Sequence, residues 1–311
     1  MGDKDKKSES LVFTGERFVP EVHGNIELEH LHRYLLACKA VAGKTVLDIA
    51  SGEGYGSSML AQTAHKVIGV DVSQEAVLHA QVKYRAENVE FRVGSCAAMP
   101  LDDASVDVVV SFETIEHHDQ HEAMMREIKR VLRPGGAVII SSPDKLEYSD
   151  KLGYSNPYHV KELYRDEFKK LLNSSFRQHC IYGQRVVYGS AILPEDGIGS
   201  VESYELTDKM LSAIPGVPHA VFLIAVASDA ELPSLVSGVL EQPIDETELV
   251  LRWVGIVEEL KAERDAQIAS LHAEIMRIKS TVSWKITKPL RAVWNTLVRL
   301  LALDHHSDQR M

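Results

Sequence analysis

A chain of 311 residues is long enough for one large domain or two modest ones with a proper core. Its composition, 45% hydrophobic and 25% charged, is that of a globular protein, and a formal charge of −11 argues against nucleic-acid binding as its main work, because phosphate contacts need a basic surface. Three widely spaced cysteines (Cys38, Cys96, Cys180) form no CxxC pair, which gives neither a disulfide framework nor a thiolate zinc site and suits a reducing cytoplasm.

The polar start, MGDKDKKSES, lacks the apolar stretch of a signal peptide and reads as a disordered arm over residues 1–12. A lead segment over 13–42 ends in NIELEHLHRYLLACKAV, which has helical spacing. Beyond it, short β-branched runs alternate with amphipathic stretches. KTVLDIA, KVIGVDV, VEFRVG, VDVVVSF and AVIISSP read as strands; GYGSSMLAQTA, SQEAVLHAQVKY and QHEAMMREIKRVL read as helices between them. This alternation predicts an α/β fold whose mostly parallel, doubly wound sheet is covered on both faces. Further on, VKELYRDEFKKLL is helical, and RQHCIYGQRVVYG and HAVFLIAVAS read as strands that close the sheet edge.

Near residue 230 the character changes. Residues 230–245 read as a linker and 246–282 as a charged helix. Ile268, Leu271, Ile275, Ile278 and Val282 step by alternating threes and fours, a coiled-coil seam that Trp253, Ile256 and Leu260 join only with a stutter. Such a helix either self-associates or docks on its own domain. Residues 283–303 carry Trp284 and Trp294, and no acidic residue stands between Glu274 and Asp304, while Lys285, Lys288, Arg291 and Arg299 are basic. A basic, Trp-anchored amphipathic segment suits an anionic membrane surface or a partner helix, and a short tail follows over 304–311. No apolar run reaches the roughly 20 residues of a membrane-spanning helix.

The most informative stretch is VLDIASGEGYG. An apolar run carries Asp48 and then turns through Gly52, Gly54 and Gly56 into a helical pattern. Asp71 ends the next strand, placed to accept hydrogen bonds from both hydroxyls of a ribose. Dinucleotides and S-adenosylmethionine (SAM) are both bound by this arrangement. VLDIASGEG, FRVGSCAAMPLDDASVDVVVSFETIEHH and VLRPGGAVIISSP, in this order and spacing over about residues 40–145, resemble the motifs of class I SAM-dependent methyltransferases. The resemblance implies a Rossmann-like, seven-stranded sheet over residues 13–229, followed by the C-terminal helical extension. It implies that Gly52, Gly54 and the turn around Ala50 pass beneath the methionine and ribose, with Asp48 orienting the turn. Asp71 and Val72 would meet the ribose and adenine. Ser95, Cys96 and Ala97 would edge the adenine, although many relatives carry Asp in the slot of Ser95, and Phe112 would stand beside the sulfonium. In similar enzymes a segment like 13–42 folds over the cofactor; Arg33 or Tyr34 would then meet the methionine carboxylate, unless the segment is simply a surface helix.

The same resemblance places SFETIEHHDQH just past the fourth strand, at the acceptor edge. A helix from Thr114 onward would put Glu113, Glu116 and His117 on one face. His117 is then the candidate general base with Glu116 beside it. Glu113, Glu116, His117 and, from NPYHVKEL, His159 alternatively make a Mg2+ or Mn2+ site, as in RNA 3′-terminal 2′-O-methyltransferases, which look similar here. The plainer alternative is that the carboxylates cap the helix start. His118, Asp119 and His121 read as solvent-facing.

Residues 145–217 are left as the acceptor side. The whole layout, GERFVPE…IELEHLHRY, methyltransferase core, coiled coil and an SWKITKPLR tail, resembles bacterial enzymes of surface-polysaccharide assembly. It implies O-methylation of a sugar on a lipid-linked O-antigen or capsule glycan, with a glycosyltransferase as possible partner, in the cytoplasm or peripherally at the inner face of its membrane. The alternatives are a small-molecule O-methyltransferase acting on a quinone precursor or secondary metabolite, and a non-catalytic scaffold of a glycan-assembly complex.

Overall fold

The computed structural model of the chain describes residues 17–187, 189–194, 202–207, 210–241 and 243–307, so the arm expected over 1–12 lies outside them. The chain divides into two compact units, residues 1–248 and 249–311.

In the first unit, apolar runs become strands and the amphipathic stretches cover them. In chain order these are α1 (Asn25–Ala40), β1 (Thr45–Ile49), α2 (Tyr55–Ala61), β2 (Lys66–Asp71), α3 (Gln74–Lys83), β3 (Val89–Val93) and β4 (Val106–Ser111). There follow α4 (His121–Val131), β5 (Leu132–Pro143), α5 (Arg165–Ser175), β6 (Gln178–Val186), β7 (Gly189–Pro194), β8 (Glu202–Thr207), β9 (Met210–Pro215), β10 (Phe222–Ser228) and β11 (Gly238–Glu241). The sheet order is β11-β7-β6-β10-β5-β4-β1-β2-β3, with β8 and β9 forming a separate hairpin. Strands β1 to β5 pair in parallel, and β10 runs antiparallel to both β5 and β6.

Both faces carry a core. Leu47, Val109, Met124, Ile128, Phe168 and Leu172 pack on one side, and Leu36, Ala37, Val46, Leu60, Val108 and Ile224 on the other. Burial on both faces is why the central strands lack polar alternation: β10 is buried at every position. The chain runs outward through β1, β2 and β3, then crosses back to β4 beside β1. That reversal opens a crevice at the carboxyl ends of β1 and β4, where sheets of this kind bind ligands.

The expected seven strands are present, and β7 and β11 extend the sheet beyond β6. Strand β11 corrects the reading of 230–245 as linker. Gly238–Glu241 pairs antiparallel with β7, and Leu235 is buried, because an extended segment beside an open sheet edge satisfies backbone groups that the edge leaves unpaired. Helix α5 also starts later than VKELYRDEFKKLL suggests. Leu163 bridges to Asp144 as a strand, which holds that part of the chain extended up to Tyr164.

The second unit is helical: α6 (Glu248–Ser280), α7 (Val282–Ile286) and α8 (Lys288–Ser307). Helix α6 runs unbroken for 33 residues, roughly 50 Å, and buries none of them. It contains the expected seam, with Ile268, Leu271, Ile275 and Ile278 exposed. It ends at Thr281, whose Oγ1 accepts the N–H of Trp284 and so caps α7. Helix α8 continues to Ser307, past the expected boundary at 303. Among the described residues, no helix is long and apolar enough to cross a membrane.

Candidate active site

Backbone bonds tie the glycine turn after β1 to the end of β2, and the end of β2 to the residue after β3. Ser51 N donates to Val70 O (3.0 Å), and Gly94 N donates to Asp71 O (3.0 Å). The Asp71 carboxylate takes Gly52 N on Oδ2 and Ser73 N on Oδ1, each at 2.8 Å. Each oxygen keeps a second lone pair, so Asp71 is oriented by the backbone and still able to accept hydroxyl donors.

The glycines divide by role. Gly52 has φ +54°, and a Cβ built on it would meet none of the described residues within 4 Å, so among them its Cα borders space that a ligand can fill. Gly54 and Gly56 face inward instead. A Cβ on Gly54 would lie 2.8 Å from that of Ala80, and one on Gly56 would lie 2.0 Å from Tyr34 Cζ. Their smallness serves packing within the protein, and Gly54, at φ +100°, also supplies a backbone turn that L side chains rarely adopt. Ala50, at φ +59°, takes the same left-handed turn without being glycine, at a cost of about 1–2 kcal/mol.

Asp48 is fully buried and accepts Ser57 Oγ–H at 2.6 Å and Tyr34 O–H at 3.2 Å. It thereby fastens α1 and α2 to the end of β1. Burial pushes its carboxyl up to about 7, against the opposing pull of those two hydrogen bonds. Tyr34 donates its hydroxyl to Asp48, and its ring fills the space beside Gly56.

The residues expected at the adenine edge follow β2 and β3. Val72 is 76% exposed, an apolar side chain left uncovered directly after Asp71. Cys96 and Ala97 are half-buried, and Ser95 Oγ accepts Ala97 N at 3.2 Å within their own turn. An open Gly52, an exposed Val72 and an oriented Asp71 are what an adenosine would require here. Phe112 is buried and sets its ring edge-on against Tyr34, with centroids 5.0 Å apart.

Past β4 the chain departs from the expected helix. Glu113 has φ +48°, and only Ile115–His117 makes a short 3-10 turn before α4. Glu113, Glu116 and His117 therefore do not share a helical face. Glu113 turns toward Ser141, which accepts its N–H at 2.9 Å and donates to its Oε1 at 2.8 Å. Those bonds offset the cost of the left-handed backbone. Glu116 is fully buried, and neither of its carboxylate oxygens has a hydrogen-bond partner among the described residues. Burial, reinforced by the charge of Glu113, holds its carboxyl well above the usual carboxylate range.

His159 does approach this turn. Ligand atoms of Glu116, His117 and His159 lie within 4.8 Å of one another, and Glu113 is not among them. The loop carrying His159 hangs on the Glu116 backbone: Val160 N and Lys161 N donate to Glu116 O at 2.8 and 3.0 Å. His117 Nδ1 is 3.1 Å from Tyr158 O, and His159 Nδ1 is 2.6 Å from Glu162 Oε1. Tyr148 stacks on the His159 ring at 5.3 Å. Asp119 is exposed as expected, whereas His121 is buried and His118 half-buried. His121 Nε2 lies 2.8 Å from both Ile115 O and His118 O, closing the turn, which explains why it cannot face solvent.

Arg33 is the residue that the sequence placed least well. A charged residue in an amphipathic helix suggests a surface, yet Arg33 is 0% exposed. Its Nε donates to Gln184 Oε1 at 2.8 Å, its guanidinium stands 4.3 Å from the centre of the Phe222 ring, and Nη1 is 3.3 Å from Glu113 Oε1. The Glu113 contact is an ion pair without hydrogen-bond geometry, since Nη1 and Nη2 have no hydrogen-bond acceptor among the described residues. Arg33 thus links α1 to β6, to β10 and to Glu113 after β4. Ahead of α1, Phe18 is buried, stacked on His30 and edge-on to Tyr55, so the lead segment packs over the start of α2.

This arrangement can seat an adenosine along β1, β2 and β3 and present its reactive end to the turn after β4. A family model described as a methyltransferase domain matches residues 47–140. A probable S-adenosylmethionine-dependent methyltransferase of Mycolicibacterium smegmatis is 38% identical over 179 residues, which is 56% of this chain and 69% of that protein. The chain belongs to the class I SAM-dependent methyltransferases. A protein of the same description in Mycobacterium tuberculosis is 38% identical to this methyltransferase over 167 residues, 52% of this chain and 60% of that one. The family match runs from within β1 to within β5, so it covers the glycine turn, Asp71 and the turn with Glu116 and His117. It ends before His159, which the methyltransferase adds from outside the matched stretch.

Proposed function

We propose that this methyltransferase transfers the SAM methyl to a sugar hydroxyl of a lipid-linked glycan of the O-antigen or capsule kind, at the cytoplasmic face of a membrane. Bound SAM supplies an electrophilic methyl on a sulfonium. Asp71 holds the ribose, Gly52 and Ala50 let the turn run beneath it, and Asp48 fixes that turn from behind through Ser57 and Tyr34. Val72, Ser95, Cys96 and Ala97 edge the adenine. Phe112 and Tyr34 wall the methyl end.

The observation that carries an oxygen acceptor is the pairing of His117 Nδ1 with Tyr158 O at 3.1 Å. A carbonyl can only accept, so the ring proton is on Nδ1 and the lone pair is on Nε2. An amine or thiolate acceptor needs little beyond alignment, but an alcohol needs a group that takes its proton as the new bond forms. His117 Nε2, beside buried Glu116, fits that task. Arg33 and Glu113 stiffen the other wall of the acceptor pocket.

Membrane proximity is supported by the second unit. Exposed Ile286, Leu290, Val293, Trp294 and Leu297 alternate with Lys285, Lys288 and Arg291, and Arg291 stands 3.6 Å over the Trp284 ring. Such a helix lies in the headgroup region and raises the local concentration of a lipid-linked acceptor. The seam on α6 pairs two copies of the chain and delivers two such helices to one surface.

The test is mass spectrometry of surface glycan from a strain lacking the gene. The expected result is glycan lighter by one methylene per missing methyl, restored by the wild-type gene. An unchanged glycan contradicts the acceptor assignment while leaving SAM-dependent methyl transfer in place.

A further inference from the structure

Three ligand-type side chains converge where β4 ends, and their surroundings differ from those of an ordinary polar cluster. Glu116 is completely buried, yet neither oxygen of its carboxylate has a hydrogen-bond partner among the described residues. A buried carboxylate left so is costly unless a cation or a proton compensates it. His117 and His159 each present Nδ1 to an oxygen, the Tyr158 carbonyl at 3.1 Å and the Glu162 carboxylate at 2.6 Å. Both rings therefore carry the lone pair on Nε2, with an outer oxygen fixing ring and tautomer, as metal-binding histidines do. One ligand-type atom from each of the three residues lies within 4.8 Å of the others, a spacing that one ion can bridge after small side-chain rotations.

We propose that Glu116, His117 Nε2 and His159 Nε2 bind a single divalent transition-metal ion, Mn2+, Fe2+, Co2+ or Zn2+. The donor set decides the class of ion. Two imidazoles and one carboxylate suit these metals, whereas Mg2+ takes oxygen ligands. Glu113 stays outside the site, because its Oε1 receives the Ser141 hydroxyl and faces Arg33. Asn156 Nδ2, 3.1 Å from His159 Nε2, is the group that turns away when the ion enters. The loop needs no refolding, since Val160 N and Lys161 N already hold it on Glu116 O.

The catalytic consequence rests on the acceptor reading above. Glu116, His117 and His159 would hold the ion, which would supply Lewis-acid stabilisation of an acceptor oxygen, and His117 would then serve as a ligand in place of its role as proton acceptor.

The test uses the full-length protein, stripped with a chelator and titrated with Co2+, whose visible absorption reports nitrogen ligation. One Co2+ per chain is expected, with excess Mg2+ failing to displace it. Glu116→Gln and His159→Gln should abolish the spectrum. Glu162→Gln, which alters the oxygen 2.6 Å from His159 Nδ1, should weaken binding by roughly 10- to 100-fold. SAM affinity, measured in parallel, reports folding of each variant. Absence of Co2+ uptake by wild-type protein that binds SAM overturns the proposal, and so does uptake that survives both ligand substitutions. Uptake without methylation of glycan keeps the metal site and removes the acceptor assignment.

Discussion

Gly52 N–H donates to Asp71 Oδ2 across 2.8 Å, so the glycine turn and the acidic end of β2 form one piece before any ligand arrives. Asp71→Ala removes the ribose acceptor and also strands the N–H groups of Gly52 and Ser73. SAM affinity should fall by roughly 100-fold or more, as expected for two hydrogen bonds to a charged group, each worth about 1.5–3 kcal/mol. Asp71→Asn keeps one acceptor oxygen and should fall between. Titration calorimetry measures both, and wild-type affinity in Asp71→Ala contradicts the cofactor assignment.

Gly52 and Gly56 should respond differently to the same change. A Cβ on Gly56 would meet the Tyr34 ring at 2.0 Å, whereas one on Gly52 meets open space. Gly56→Ala should therefore destabilise the fold severely, seen as a large drop in Tm or loss of soluble protein. Gly52→Ala should cost only about 1–2 kcal/mol of stability through its positive φ, but should weaken SAM binding. Equal losses of stability would contradict this division.

Asp48 makes stability depend on pH with a definite sign. Burial pushes its carboxyl up to about 7, with Asp71 adding to the shift and Ser57 and Tyr34 opposing it. An unfolded aspartate ionises near pH 4, so between about pH 4 and 7 the native chain holds a proton that the unfolded chain has released. The contribution is complete below that window and is lost as pH rises through it, by at most about 4 kcal/mol. Asp48→Asn cannot ionise, so its Tm relative to wild type should rise from pH 5 to pH 8 without SAM. A difference that stays constant with pH would contradict the buried, protonated Asp48.

Much of the sheet was legible because strands buried on both faces leave apolar runs, as in TVLDI and FLIAVAS. The glycine spacing and Asp71 likewise marked the cofactor turn. What stayed hidden depends on contacts distant in sequence. Nothing in RYLLA shows that Arg33 is enclosed by Gln184 and Phe222. Nothing in ETIEHH shows that Glu113 takes a left-handed backbone, held by Ser141, which breaks the expected helix and separates it from Glu116. Strands β7 and β11 are set by their pairing with β6 and with each other, contacts that neither segment shows by itself.

Removing residues 283–311 should leave the first unit folded, because residues 1–248 contain the whole sheet. Full-length protein should float with vesicles rich in anionic lipid and release as salt rises, since screening weakens each basic contact. The truncated chain should remain in the soluble fraction with its SAM affinity intact. Equal flotation of both chains, or of neither, would contradict a membrane role for α8.

In the proposed reaction the turn after β4 does the chemistry while β1 and β2 hold the cofactor. The direct measurement offers under-methylated glycan from the deletion strain to purified protein with radiolabelled SAM, comparing wild type with His117→Ala. SAM affinity should be retained, and label transfer should fall by about 100-fold or more, the usual contribution of a positioned acid–base group. Wild-type transfer by His117→Ala would contradict it.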